Sequence, residues 1–515
     1  MEKERKPADM QLLLPSLAAI VVIATFLVVN RETAEPFLNN TMTFLTHRFA
    51  WFFEWGTVII TGLALWLAFS PYGRIRFGAE EPEFSTLTWI GLLFTAAIGS
   101  SLMYWGFLEP IHYMVTPPFG IRPASPQAAE WALPYVMFHW GLNGWPIFCL
   151  PGLAIGYAYH IKKSNSLRLS TACRGFLGDR VDGWLGKAID IAIIWGMVGG
   201  LGTSLGLGVS MVSRCVCEIF GLQPSLYVDL AVIVFWTILF STSALPGLYK
   251  GIKLLSDINV YLALGLMAFV ALIGPTSFIL ANFTNSLGIM LQNLVMMNFY
   301  TDPIQKSGFP QNWTVFYWAW WFANAAFMAM FIARISRGRT IRQIIVGECI
   351  FSSLGSWMWF AVFGNYGINL QLSGALDVTG ILEKSGGPEA IVAMLRTMPF
   401  SGIIIPVFTA LAFIFLATSL NSATYVMASM TSKDFGGTDE PAKWNIVLWG
   451  SILGGMTLIL LMIAGTKALR VVQTSAVFVA IPAVVVVILM TLSMMKWARE
   501  DFGEELKARP LVKKD

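Results

Sequence analysis

Charge is scarce in this sequence. Asp, Glu, Lys and Arg together make up 12% of its 515 residues, about half the share usual in soluble globular proteins. So few ionisable side chains cannot cover a water-soluble surface for a chain this long. Intrinsic disorder, coiled coils and secreted disulfide scaffolds are excluded by the same composition. Cysteine is rare too. Cys149, Cys173, Cys215, Cys217 and Cys349 form no CxxC pair and no Cys/His spacing that suggests a metal site. Only four histidines occur (His47, His112, His139 and His160), scattered along the chain, and neither HExxH nor GxSxG is present. An intramembrane enzyme is therefore not expected. Nothing resembles a selectivity filter or a charge ring, which disfavours a channel.

What the chain has instead is apolar material: 56% of residues are hydrophobic. They gather into runs near the length needed to cross a bilayer. Twelve spans are expected, at roughly 11–30, 50–70, 87–115, 130–160, 187–217, 226–248, 254–281, 312–336, 341–366, 400–431, 444–466 and 470–495. Several exceed the thickness of hydrocarbon, so tilted or broken helices are expected. The short alternating segments of a barrel are missing. The first run lacks a small-residue cleavage site and reads as a span rather than a signal peptide.

The basic residues agree with twelve spans. Of 34, nine fall on one side: Arg31, Arg48, Arg122, Arg214, Lys306, Lys384, Arg396, Lys467 and Arg470. The other 25 fall on the side that holds both termini, which the positive-inside rule places in the cytoplasm. The formal charge of +4 is thus mostly a topology signal and implies no nucleic-acid partner. The tail 497–515 is short and mixed in sign, unlike a basic extension that senses ionic strength.

Three stretches depart from plain lipid-facing helix: residues 96–101 (AAIGSS), 199–208 (GGLGTSLGLG) and 417–422 (ATSLNS). Clusters of glycine and hydroxyls at membrane depth either allow close helix packing or mark unwound backbone lining a cavity. For 199–208 both readings stand. The hydroxyls in the other two favour functional breaks.

Aromatics are concentrated as well. Trp313, Trp318, Trp320 and Trp321 lie within one short run, and Trp140 and Trp145 flank Gly141, Gly144 and Pro146. At helical spacing Trp313, Tyr317, Trp320 and Asn324 share a face, beside a stripe of Trp318, Trp321, Ala325 and Met328. Such residues either form an interfacial belt and fill core or build a cage for a quaternary ammonium. That cation has no N–H to donate, and indole faces attract it by about 2 kcal/mol per desolvated contact. The eighth and tenth spans carry no Asp or Glu. A zwitterionic ligand would make sense of this, because a fixed negative charge would repel its carboxylate.

Residues 313–321 (WTVFYWAWW), followed by 331–339 (FIARISRGR), resemble the signature of the betaine/carnitine/choline transporter family. Further similarity lies in 138–141 (FHWG), 202–207 (GTSLGL), 82–86 (PEFST) and 250–257 (KGIKLLSD). Residues 103–106 (MYWG), 116–120 (TPPFG) and 300–303 (YTDP) are most similar to the carnitine/γ-butyrobetaine antiporter.

The resemblance implies an all-α polytopic protein of LeuT type. After a cytoplasmic start (1–10), two peripheral helices (11–86) would precede inverted repeats at 87–284 and 312–496. An amphipathic linker at 285–311 would join the repeats, and 497–515 would form the tail. It further implies a homotrimer in the bacterial cytoplasmic membrane. The central cage would be Trp140, Trp145 and Trp320, with Trp105 nearby, and an outer site would use Trp313, Trp320 and Trp321.

His112, Phe148 and Asn324 stand where the antiporter has tyrosines. His112 either bonds a ligand carboxylate or hydroxyl or is a neutral core residue. No cofactor is implied; sodium enters as a candidate coupling ion. Met328 matches a methionine that replaces sodium in the exchanger. Asn259 stands where that exchanger has an arginine, while Thr203, Thr418 and Ser419 keep the hydroxyls of sodium-coupled relatives. The resemblance therefore leaves exchange and sodium-coupled uptake both open.

Overall fold

Long apolar runs become helices because a chain in hydrocarbon must satisfy every backbone N–H and C=O within its own segment. The computed structural model describes residues 5–507 apart from 98–99, 165, 167, 244–247, 434, 436–438 and 465–467. Among the described residues, eight helices are long and apolar enough to cross a membrane: Met10–Val29, Ala50–Phe69, Trp184–Phe220, Thr276–Asn298, Phe309–Ile335, Ile341–Leu372, Ser401–Met430 and Val477–Lys507. Further apolar runs fold as shorter or partly described helices: Thr86–Ala97 with Ser100–Val115, Pro126–His139 with Trp145–His160, Leu226–Ser243, Leu248–Ile273 and Lys443–Ala464. The architecture is that of a multi-pass helical membrane protein, with one small addition. Arg5–Lys6 pairs in parallel with Glu440–Pro441.

One of the two expected breaks is not found where the sequence suggests it. Ile98 and Gly99, at the centre of the expected break in the third span, lie outside the described residues, as do Lys3, Lys467 and the end of the tail. The glycine run at 199–208 stays helical within Trp184–Phe220, so close packing wins over unwinding there. A Cβ on Gly200 would sit 2.6 Å from the Asn324 amide, and one on Gly208 would sit 2.7 Å from Leu416. The expected break at 417–422 is absent, because Ser401–Met430 is one helix. Its hydroxyls bond back to their own helix, Thr418 to the carbonyls of Ile414 and Phe415 at 3.0 Å and Ser422 to that of Thr418 at 3.1 Å. The interruption falls in the fourth span instead. Residues 140–144 form a turn between Pro126–His139 and Trp145–His160.

Other boundaries shift for local reasons. The helix covering the expected linker starts at Thr276, not at 285. Pro275 has no N–H with which to continue the preceding helix, and the Thr276 hydroxyl bonds back to Ala271 O at 2.6 Å. A helix at Arg31–Arg48 joins the first two spans. On the outer side of the expected topology, Arg396 Nε donates to Glu218 Oε1 at 2.6 Å.

Two motifs distant in sequence dock on one another. Residues 331–339 end the eighth span, and there Arg339 turns inward rather than anchoring in solvent. It is 3% exposed, lies 4.6 Å over the Trp89 ring and donates to Phe84 O at 2.8 Å and to Thr86 Oγ1 at 3.1 Å. Gly338 makes the approach possible: its φ is +79°, and a Cβ there would lie 2.1 Å from Glu81 O. Gly338→Ala is therefore expected to destabilise the folded protein by more than about 1 kcal/mol. This is measured as a lowered melting temperature in detergent. An unchanged melt would show that the 81–89 segment is not held by this turn.

Candidate functional site

The turn at 140–144 sets the geometry of the site. Unwinding frees carbonyls, and a side chain takes one of them: Trp145 Nε1 donates to Trp140 O at 3.1 Å. Just before the turn, Trp357 Nε1 donates to Met137 O at 2.8 Å. Glycine is required within it. A Cβ on Gly141 would lie 2.3 Å from Met137 O, and one on Gly144 would lie 2.8 Å from the Trp321 ring. The fourth span thereby presents Trp140 and Trp145 to the Thr314–Ile335 helix.

Four indoles meet here. Trp140 stands edge-on to Trp320 at 5.7 Å and to Trp321 at 5.6 Å, and Trp145 to Trp321 at 4.8 Å. Phe148 closes on Trp321 at 4.5 Å. Trp320 is fixed across to the Trp184–Phe220 helix by its Nε1, which donates to Gly200 O at 3.3 Å. These rings border a cavity of about 90 Å³, several times the space one water needs. Its other walls are Ser101, Leu201, Ser204, Asn324, Phe327, Met328, Leu416, Ser419 and Leu420. The Ser101 and Ser204 hydroxyls are 3.1 Å apart, and Asn324 Nδ2 is tied to Trp320 O at 2.9 Å. No lining residue is Asp, Glu, Lys, Arg or His. The walls offer ring faces on one side and hydroxyl and amide groups on the other. They suit a small ligand with an apolar or cationic head and a polar end, and they hold no acid–base pair.

The residues singled out from the sequence divide into three groups. Trp140, Trp145, Trp320, Trp321, Met328 and Ser419 line the cavity. Trp105, His112 and Trp313 do not. They form a second aromatic cluster, with His112 5.1 Å and Trp105 5.9 Å from Trp313. Trp313 is thus grouped with Trp105 and His112 rather than with Trp320 and Trp321 in an outer site, and Trp105 is outside the central cage. Trp313 Nε1 donates to Thr116 Oγ1 at 3.3 Å, and His112 is half-buried, with Nε2 out of solvent and unpartnered among the described residues. Tyr317 bridges the two clusters, 6.2 Å from Trp105 and 5.8 Å from Trp140.

The third group lies outside both clusters. Thr203 Oγ1 bonds to Gly199 O at 3.0 Å, Thr418 Oγ1 bonds back to Ile414 O at 3.0 Å, and Asn259 is buried with neither amide atom hydrogen-bonded among the described residues. None of these three lines the cavity with Ser419. Trp318 does not line the cavity and packs on Phe138 at 5.3 Å and His139 at 5.6 Å.

Sequence reasoning passed over a carboxylate. Glu109, fully buried on the Ser100–Val115 helix, accepts from Trp140 Nε1 at 2.7 Å, Tyr317 OH at 2.6 Å and Tyr113 OH at 2.7 Å. The eighth and tenth spans indeed carry no acid, but the third brings one to the back of the cage. An acidic residue inside an apolar span was the available signal.

The model of the BCCT family, betaine/carnitine/choline family transporter, matches residues 11–503. The chain belongs to that family. Its members are transporters and not enzymes.

Each ring has its own consequence. Trp140→Ala or Trp320→Ala is expected to weaken binding of a trimethylammonium ligand by about 2 kcal/mol, roughly thirtyfold. Trp318→Ala should leave affinity near the parent value while costing about 3–5 kcal/mol of stability. Fluorescence titration and thermal melts separate the two effects. Equal losses of affinity in all three variants would refute a cage built on Trp140 and Trp320.

Proposed function

We propose that this family member is a secondary active transporter that moves small trimethylammonium compounds, such as carnitine, γ-butyrobetaine or glycine betaine, by alternating access around the Trp140–Trp145–Trp320–Trp321 cage. The observation that carries this reading is the convergence of four indoles on one small cavity whose lining has no ionisable side chain. Indole faces attract a methylated ammonium that offers no hydrogen-bond donor. The hydroxyls of Ser101, Ser204 and Ser419 and the Asn324 amide serve the polar end of the ligand.

The wider reading is a LeuT-type pair of five-helix inverted repeats, at 87–284 and 312–496, rocking about this cage. The carrier works as a homotrimer in a bacterial cytoplasmic membrane, with both termini in the cytoplasm. Motif similarity favours the carnitine/γ-butyrobetaine antiporter subtype, and Met328 at the cavity wall supports sodium-free exchange. A second reading, a sodium-coupled glycine betaine or choline symporter, is favoured by the Ser419 hydroxyl at the same wall.

Uptake of labelled carnitine and glycine betaine into proteoliposomes, with and without a sodium gradient, tests the proposal. Saturable accumulation, with counterflow from preloaded vesicles, is expected. Non-saturating flux, or chemical conversion of the label, would sink it. If Met328 takes the place of a sodium ion, Met328→Val lowers sodium-free exchange severalfold in the same assay. Unchanged flux removes that role.

A further inference from the structure

Glu109 has no part in transport as described so far, yet three donors converge on it. Tyr113 gives its proton to Oε1; Trp140 and Tyr317 give theirs to Oε2. The Tyr113 oxygen is then free to accept from His139 Nδ1 at 2.7 Å, and His139 Nε2 accepts from the Thr314 hydroxyl at 3.0 Å. The directions are consistent throughout with an ionised carboxylate and a neutral imidazole carrying its proton on Nδ1. Among the described residues no Lys or Arg lies within ion-pair distance of Glu109; His139 Nδ1 is 3.6 Å away. A buried anion without a paired cation is costly. That cost falls when a cation arrives nearby, but not when a neutral group of the same shape does.

We propose that Glu109 is a positioning and specificity-determining residue for the cage. It sets the rings of Trp140 and Tyr317, and its charge makes the cavity select a cationic head over a neutral one of equal size. The inference rests on the cavity being a trimethylammonium site. Two features of the geometry carry it. First, Trp140 borders the cavity while its N–H points to Glu109, so the ring stands between anion and ligand. An indole that donates to a carboxylate has a more electron-rich face, which strengthens its pull on a cation. Second, Glu109 does not itself line the cavity. Three hydrogen bonds spread its charge on the far side of the ring, so the carboxylate of a zwitterion can occupy the Ser101–Ser204–Asn324 side without meeting it.

The test compares ligands that differ only at the quaternary centre. γ-Butyrobetaine is paired with its carbon isostere 5,5-dimethylhexanoate, and glycine betaine with 3,3-dimethylbutyrate. All four are titrated by tryptophan fluorescence against the purified parent protein, Glu109→Gln, Glu109→Asp and Tyr317→Phe. The parent should prefer the ammonium member of each pair. Glu109→Gln should cut that preference by about tenfold, through lost affinity for the ammonium ligand and not for the isostere. Tyr317→Phe removes a positioning bond but leaves the charge, so it should weaken both members and keep the preference. Should Glu109→Gln fail to fold, Glu109→Asp and Tyr317→Phe carry the test: both must still prefer the ammonium ligand. Equal weakening of both members in Glu109→Gln, or no change in either, overturns the inference alone. A parent protein that binds none of the four probes overturns the substrate reading, and the inference with it.

Discussion

A helix cannot be opened inside a bilayer unless the backbone groups it frees find partners within the protein. The rest of the site depends on how the turn at 140–144 meets that constraint. The indole N–H of Trp145 takes the carbonyl of Trp140, so the residue that satisfies the opened backbone is itself a wall of the cavity. Structure and recognition are thereby joined in one side chain. Gly141 and Gly144 let the turn sit against Met137 and Trp321 at distances that a Cβ would forbid. The opposing helix meets a matching demand. Gly200 leaves room for Asn324, and its carbonyl receives the N–H of Trp320. One cage ring from each side, Trp145 and Trp320, is thus held by a backbone acceptor, which does not change rotamer.

The rings form a continuous series rather than two separate sites. Trp313 and His112 meet Trp105, which meets Tyr317, which meets Trp140 and Trp320, which border the cavity with Trp145 and Phe148. Edge-to-face contacts dominate this series, and each ring edge carries partial positive charge that favours the face of the next. Tyr317 is the joint: its ring touches both clusters and its hydroxyl is held by Glu109. A ligand moving between the clusters would keep ring faces beside it throughout.

The sequence made the helical class legible because hydrophobic run length is a local property. It also drew attention to Trp140, Trp145, Trp320 and Trp321, because an unusual density of indoles beside glycine and proline is visible in one dimension, whereas Met328 stood out only through the family resemblance. Glu109 escaped notice because its relation to Trp140 and Tyr317 exists only once three helices are packed. The break was placed wrongly for a related reason. Hydroxyls at 417–422 suggested unwinding, but a threonine or serine in a helix can satisfy its own oxygen by bonding back a turn, as Thr418 and Ser422 do. Glycine at 199–208 likewise signalled close approach, not opening. The difference lay in what faced each glycine, which no single segment records.

The same distinction bears on coupling. Hydroxyls that bond back to their own helix, as those of Thr203 and Thr418 do, use only their donor, and the oxygen lone pairs stay available to a cation. Ser419 faces the cavity beside Met328, so the two rival signals for ion coupling, a hydroxyl and a thioether, lie on one wall that the ligand also touches. A sodium ion prefers several hard oxygens, which a thioether cannot supply. An ion held at Ser419 would need oxygens from the ligand or from backbone that is helical here. On the proposed reading, coupling at this wall would involve the ligand's own polar end, whereas its cationic end would answer to the indoles and to Glu109 behind them.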